Sequence, residues 1–90
     1  MTKADIVNEI SRKTGVDKVA VLATIEEMMS VIKKHMIQGE NIYLRGFGTF
    51  EIIKRAEKIG RNITKNTAVV VPAHNIPKFK PSREFKDKLK

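Results

Sequence analysis

Apolar positions along this chain recur first at helical spacing, then at every second residue, and then lose their rhythm before the end. Ile6, Val7 and Ile10 fall on one face of a first helix, with Thr2 placed to cap it, Asp5 in its first turn and Gly15 to end it. Asp17 is placed to cap a second, longer helix in which Leu22, Ile25, Met29, Ile32 and Met36 alternate steps of three and four. Such steps make a coiled-coil-like seam. Val21 and Met28 widen the stripe beyond the needs of a surface helix, so this helix is expected to pack on helix 1 and on a second subunit. Gly39 supplies its C-terminal stop.

Asn41 to Arg45 and Thr49 to Arg55, rich in Ile, Tyr, Leu and Phe, read as two strands joined by a turn containing Gly46 and Gly48. From Lys54 to about Pro72 the alternation lapses, and Lys54, Arg55, Lys58, Arg61 and Lys65 interleave with Ile59, Ile63, Thr64, Thr67 and Val69 to Val71. Strand propensity with little to bury predicts a two-stranded ribbon projecting from the body, with Asn66 near its reversal. The chain returns through Ile76 to Lys80. Pro81 and Ser82 then signal a short helix, Arg83 to Leu89, presenting Phe85 and Leu89 inward.

Ninety residues make one domain with a marginal core, and the chain has no cysteine to staple it, so stability is expected from packing and oligomerisation. No basic region leads into an apolar run at the N-terminus, and no stretch approaches a membrane span, which predicts a cytoplasmic protein. The net charge of +8 points to a polyanionic partner. Its distribution says more: residues 1–40 hold six Lys/Arg against six Asp/Glu, whereas residues 41–90 hold twelve against four. A neutral helical half for dimerisation (1–40) is thus joined to a basic half for binding (41–90) within one domain.

Gly46-Phe47-Gly48-Thr49-Phe50 is the most specific short run. A glycine hairpin with core aromatics accounts for Phe47 and Phe50, and the alternative is that the glycine amides also meet phosphate. Basic runs are commonly solvated surface, but here the excess sits on a ribbon with nothing to bury, which favours nucleic acid. His35 reads as a seam or surface residue and His74 as an exposed polar contact. Glu26 and Glu27 are adjacent and diverge on a helix, and no metal-binding or nucleophile motif is present, so neither an enzyme nor a cofactor or metal site is expected.

Gly46-Phe47-Gly48-Thr49-Phe50, Arg55-Ala56-Glu57, Gly60-Arg61-Asn62 and Phe79-Lys80-Pro81, with Lys86 near the end, resemble the HU and integration host factor family without gaps over the whole chain. The resemblance implies an α+β fold: an intertwined dimer with a two-helix base, a three-stranded antiparallel β-saddle, a protruding ribbon arm over about residues 54–74 and a short C-terminal helix. It implies arms in the minor groove lined by Arg55, Lys58, Arg61 and Lys65, with Asn62 and Ile63 at the tip. Lys3, Lys80, Arg83 and Lys86 would meet flanking phosphates, and Lys78, Gly46 and Gly48 complete the expected DNA contacts. The dimer core would hold Leu22, Ile25, Met29, Ile32, Leu44, Phe47, Phe50 and Phe79.

Two departures fall at the arm tip. The family's usual Arg-Asn-Pro-x-Thr-Gly is here Arg61-Asn62-Ile63-Thr64-Lys65-Asn66, so Ile63 stands where an intercalating proline is expected and Asn66 replaces the turn glycine. Ile is an apolar wedge without a rigid ring, and Asn tolerates positive φ. Ser82 and Phe85 replace the usual Gly and Leu, as minor changes in capping and packing. The implied function is largely sequence-tolerant binding, bending and condensation of double-stranded DNA by a histone-like, nucleoid-associated homodimer. A heterodimer with a paralogue and binding of RNA stay open. A helix-turn-helix reader is disfavoured by the neutral charge of residues 1–40, and a membrane-coating protein by charge placed on a ribbon and not on an amphipathic helix.

Overall fold

The first helix, α1 (Lys3–Thr14), starts where a reciprocal cap can form: the Asp5 N–H donates to Thr2 Oγ1 at 3.3 Å, and the Thr2 N–H donates to Asp5 Oδ2 at 2.9 Å. It ends at Gly15, φ 74°, whose N–H donates to the Ser11 carbonyl. Helix α2 (Lys18–Ile37) follows. Asp17 holds its N-cap position, but the side chain makes no capping hydrogen bond, so the expected cap is positional only. Gln38 is the C-cap, with Gly39 one residue beyond. This computed structural model describes residues 1–62 and 67–90.

Strands β1 (Ile42–Leu44), β2 (Gly48–Arg55) and β5 (His74–Pro81) form an antiparallel sheet in the order β1-β2-β5, while β3 (Lys58–Asn62) and β4 (Thr67–Val71) pair only with each other. The first strand is shorter than expected because its ends are used otherwise. Asn41 accepts the Ile52 N–H through its side-chain Oδ1, at 3.0 Å, and Arg45 enters the turn closed by the Phe47 N–H on the Leu44 carbonyl. Gly46 takes φ 82° as third residue of that turn, a conformation costly for any residue with a Cβ.

Gly48, expected in the turn, opens β2 instead. It is buried, and a Cβ there would lie 2.6 Å from the Lys80 carbonyl oxygen and 2.7 Å from the Phe79 ring. Glycine is required by this close approach and not by a bend. Pro81, expected to start the last helix, closes β5, and α3 (Arg83–Lys88) begins behind Ser82. Leu89 is the C-cap of α3 and 75% exposed, so of the expected pair Phe85 alone packs inward, against Phe47.

Register sets the two faces of the sheet, since residues directly opposite share a face and alternate along each strand. Ile42, Leu44, Gly48, Phe50 and Ile52 pair into one face with Pro77, Phe79 and Pro81. There Phe79 meets Phe47 and Phe50, each at 5.0 Å between ring centroids, and Phe85 of α3 stacks on Phe47 at 5.7 Å. α1 packs on α2, yet among the described residues Val7 and Val21 are the only buried hydrophobics. The expected dimer-core residues are open accordingly: Leu22, Met29 and Phe47 are exposed, and Ile25, Ile32, Leu44, Phe50 and Phe79 are half-buried. The radius of gyration is 18.9 Å, against about 12 Å for a compact chain of this length, and the long axis spans 60 Å.

Candidate nucleic-acid interface

The opposite face of the sheet is polar. Tyr43, Thr49, Glu51, Ile53 and Arg55 share it with His74, Ile76, Lys78 and Lys80, the cross-strand pairs being Thr49 with Lys80, Glu51 with Lys78, Ile53 with Ile76 and Arg55 with His74. The strand period puts Lys78 and Lys80 on one side because the alternate residues Phe79 and Pro81 are needed on the other. Lys78 stands directly across from Glu51, so its charge is partly offset. β2 and β5 stay paired as far as Arg55 and His74, and the ribbon proper therefore begins at Lys58.

Beyond that point β3 and β4 continue as an isolated antiparallel pair, with Lys58 opposite Val71 and Ile59 opposite Val70. Arg61 and Asn62 occupy the outer positions of β3, in register with Ala68 and Thr67. The expected tip contacts Ile63 and Lys65, and the reversal at Asn66, lie outside the described residues.

At the other end of the sheet an open cleft of about 460 Å³ is lined by Arg45, Gly46, Lys80 and Arg83, with Tyr43 at its side. Ser82 builds it. Its hydroxyl donates to the Gly46 carbonyl at 3.0 Å and accepts the Phe85 N–H at 3.2 Å, while its own N–H donates to the Phe47 carbonyl at 2.9 Å. One side chain thus fastens the β1–β2 turn to the start of α3 and sets Arg83 beside Lys80. The replacements Ser82 and Phe85 are coupled: the first caps the helix that carries the second onto Phe47. Sequence reasoning did not single out Arg45, which resembled the end of a strand. Its position next to Gly46 was the available signal.

The outlying cations differ in their freedom. Lys3 Nζ is engaged with Glu26 Oε1 at 2.9 Å, linking α1 to α2 across an exposed surface, where such a pair contributes little to stability. Lys86 is exposed in the last turn of α3. His35 Nδ1 lies 3.2 Å from Glu40 Oε2 at the end of α2, far in sequence from His74. Among the described residues, no helix is long and apolar enough to cross a membrane.

The sequence profile of the family described as Bacterial DNA-binding protein matches residues 1–90. The DNA-binding protein HU of Thermus thermophilus is 34% identical over 90 residues, covering 100% of this chain and 93% of that protein. Its counterpart from Thermotoga maritima is 31% identical, with both chains covered in full. An Anabaena HU–DNA cocrystal structure superimposes with a TM-score of 0.91 at 29% identity, covering 99% of this chain and 97% of that one. The α+β architecture, the lone ribbon and these matches agree: this chain belongs to the bacterial DNA-binding protein family of HU.

Proposed function

We propose that two copies of this chain intertwine into a dimer that binds double-stranded DNA with little regard to sequence and bends it, organising the nucleoid without catalysing a reaction. The observation that carries this reading is the placement of charge. The half of the chain that holds the whole net charge also forms the polar sheet face, the turn cleft and the ribbon, so cations gather at both ends of one face, Arg83 and Lys80 at the turn cleft and Arg55 and Lys58 at the ribbon root, with Lys78 opposite Glu51 between them. Phosphate contacts on such a surface supply affinity without reading bases.

In this reading Lys80, Arg83 and Arg45 grip a phosphate at the turn cleft, with the Gly46 amide beside them. Gly48 shapes the cleft from below, and Lys3, Lys78 and Lys86 reach the flanks. Arg55, Lys58, Arg61 and Lys65 line the arm in the minor groove, Asn62 sits near its end, and Ile63 is the wedge between base pairs. Leu22, Ile25, Met29 and Ile32 of α2, with Leu44, Phe47, Phe50 and Phe79 of the sheet, close the dimer core. A cytoplasmic, nucleoid-associated location follows from the partner.

The experiment is a titration of a fixed-length duplex at several salt concentrations. Log affinity is expected to fall linearly with log salt, at a slope reporting several neutralised phosphates, and scrambling the bases is expected to leave affinity nearly unchanged. A change of orders of magnitude on scrambling would overturn the architectural reading. Competition by RNA is read in the same assay, and the mass of the complex tells a homodimer from a mixed one.

A further inference from the structure

The polar face of β5 begins at His74, which the contacts assigned above leave unused. His74 pairs with Arg55 at the last register position of β2 and β5, where the sheet gives way to the ribbon. An open cleft of about 250 Å³ lies there, lined by Arg55, Ala56, Lys58 and His74. The charged groups facing the imidazole are therefore Arg55 from β2 and Lys58 from β3. Glu57, the carboxylate of the intervening link, does not line the cleft. A site with two fixed cations and no carboxylate suits an anion.

The histidine ring is also oriented. Its Nδ1 lies 3.0 Å from the Pro72 carbonyl oxygen, and since a carbonyl only accepts, Nδ1 carries a proton and Nε2 is the free nitrogen. In the neutral ring Nε2 offers a lone pair, which a phosphate oxygen repels. In the protonated ring it offers a charged N–H, which a phosphate oxygen accepts. One proton thus adds a phosphate donor at this position beside Arg55 and Lys58.

The geometry points to a phosphate subsite at the root of the ribbon, formed by Arg55, Lys58 and protonated His74, in which DNA binding takes up a proton on His74 Nε2. This rests on the DNA-binding reading above and adds a pH-dependent contact to it. A phosphate oxygen in the cleft accepts a hydrogen bond from Nε2 only when the ring is protonated, so bound DNA favours the imidazolium and, by linkage, acidification favours bound DNA.

The test measures affinity for one duplex at constant salt from about pH 7.5 to about pH 5.5, the range over which histidine changes charge. Affinity of the parent protein is expected to rise about three- to tenfold more than that of His74→Gln, as for one solvent-exposed hydrogen bond gained. Its salt slope should steepen by about one unit at the acid end. His74→Lys carries the charge throughout and should keep the acid-limb affinity at neutral pH, while His35→Gln should follow the parent. Long-range ¹H–¹⁵N spectra of the imidazole should show Nε2 protonated in the complex at a pH where it is unprotonated in the free protein. If His74→Gln reproduces the parent's pH profile, or Nε2 stays unprotonated in the complex, the subsite is overturned and DNA binding stands. If no variant binds duplex DNA at any pH, the DNA-binding reading itself fails.

Discussion

On α2, Val19 is 75% and Ile37 85% exposed, and Met28, Met29 and Val31 are more than two-fifths exposed. On the β3–β4 ribbon Ile59 is 76% and Val70 56% exposed, but these two are direct cross-strand partners, with Lys58 beside them in β3. Exposure alone does not separate the two regions; charge does. The helical half is electrically balanced and leaves apolar side chains open on several sides of α2, a surface suited to another protein. Among the described residues the ribbon leaves one apolar pair beside Lys58, a surface that suits a polyanion. The same short chain therefore asks for two partners of opposite chemistry, and each can be removed separately.

The largest effect is expected from charging the helical stripe. Ile32→Asp would place an unpaired carboxylate on the face assigned to the dimer, at a cost of about 4 kcal/mol or more, enough to unfold a domain of this size. Sedimentation should show loss of the dimer and circular dichroism loss of the folded state together. The parent's Tm should rise with protein concentration. A Tm constant over a hundredfold dilution, with a monomeric mass, would break the comparison on its helical side.

Next comes Gly48→Ala, which tests whether the sheet joining the two regions is as tightly packed as its geometry states. The added methyl would meet the Lys80 carbonyl oxygen at 2.6 Å and the Phe79 ring at 2.7 Å, so backbone must shift, and about 1–3 kcal/mol of stability should be lost. Because Lys80 moves with that carbonyl, DNA affinity should fall as well. Unchanged Tm and affinity would show that β2 and β5 separate freely there.

How much of this was legible depended on the range of the signal. Thr2, Asp5 and Gly15 act within one helical turn, and each does in the structure what its position predicted. Gly48 was read as a turn residue because its neighbours in sequence suggest one, whereas its reason is the Phe79 ring and the Lys80 carbonyl some thirty residues away. Leu89 shares a helical face with Phe85 by spacing, but Phe85 packs on Phe47 while Leu89 is exposed. Arg45 became visible only when the turn brought it beside Lys80 and Arg83. The family and the charge division were plain in the sequence, and three-dimensional juxtapositions were not.

On the ribbon side, Ile63→Ala separates wedging from charge. Burying an Ile side chain stabilises by roughly 1.5–3 kcal/mol, close to the few kcal/mol needed to unstack a base step, so its loss should reduce bending in ring closure of short duplexes while barely moving the salt slope. Arg61→Ala is the contrast, expected to weaken binding and lower the slope by about one unit. Equal bending by Ile63→Ala and the parent would mean that the ribbon bends DNA through charge alone.

The smallest effect distinguishes the two halves by their response to acid. The Thr2 backbone N–H, and then its hydroxyl, donate to the Asp5 carboxylate and hold its pKa below the ordinary value of about 3.9. A carboxyl whose pKa is lower in the folded state than in the unfolded one adds stability that is complete above the unfolded value and is lost as pH falls through the folded one. Asp5→Asn removes this term. Its Tm should lie slightly below the parent's at neutral pH, and the two curves should converge below the ordinary carboxyl range. The group is exposed, so added salt should shrink the gap. Acid thus loosens the helical half at α1 but, through His74, is expected to tighten the hold of the ribbon root on DNA at milder pH. A parent and Asp5→Asn that melt alike at neutral pH would remove the carboxylate from the cap's stabilising role and leave the Thr2 hydroxyl to cap α1 alone.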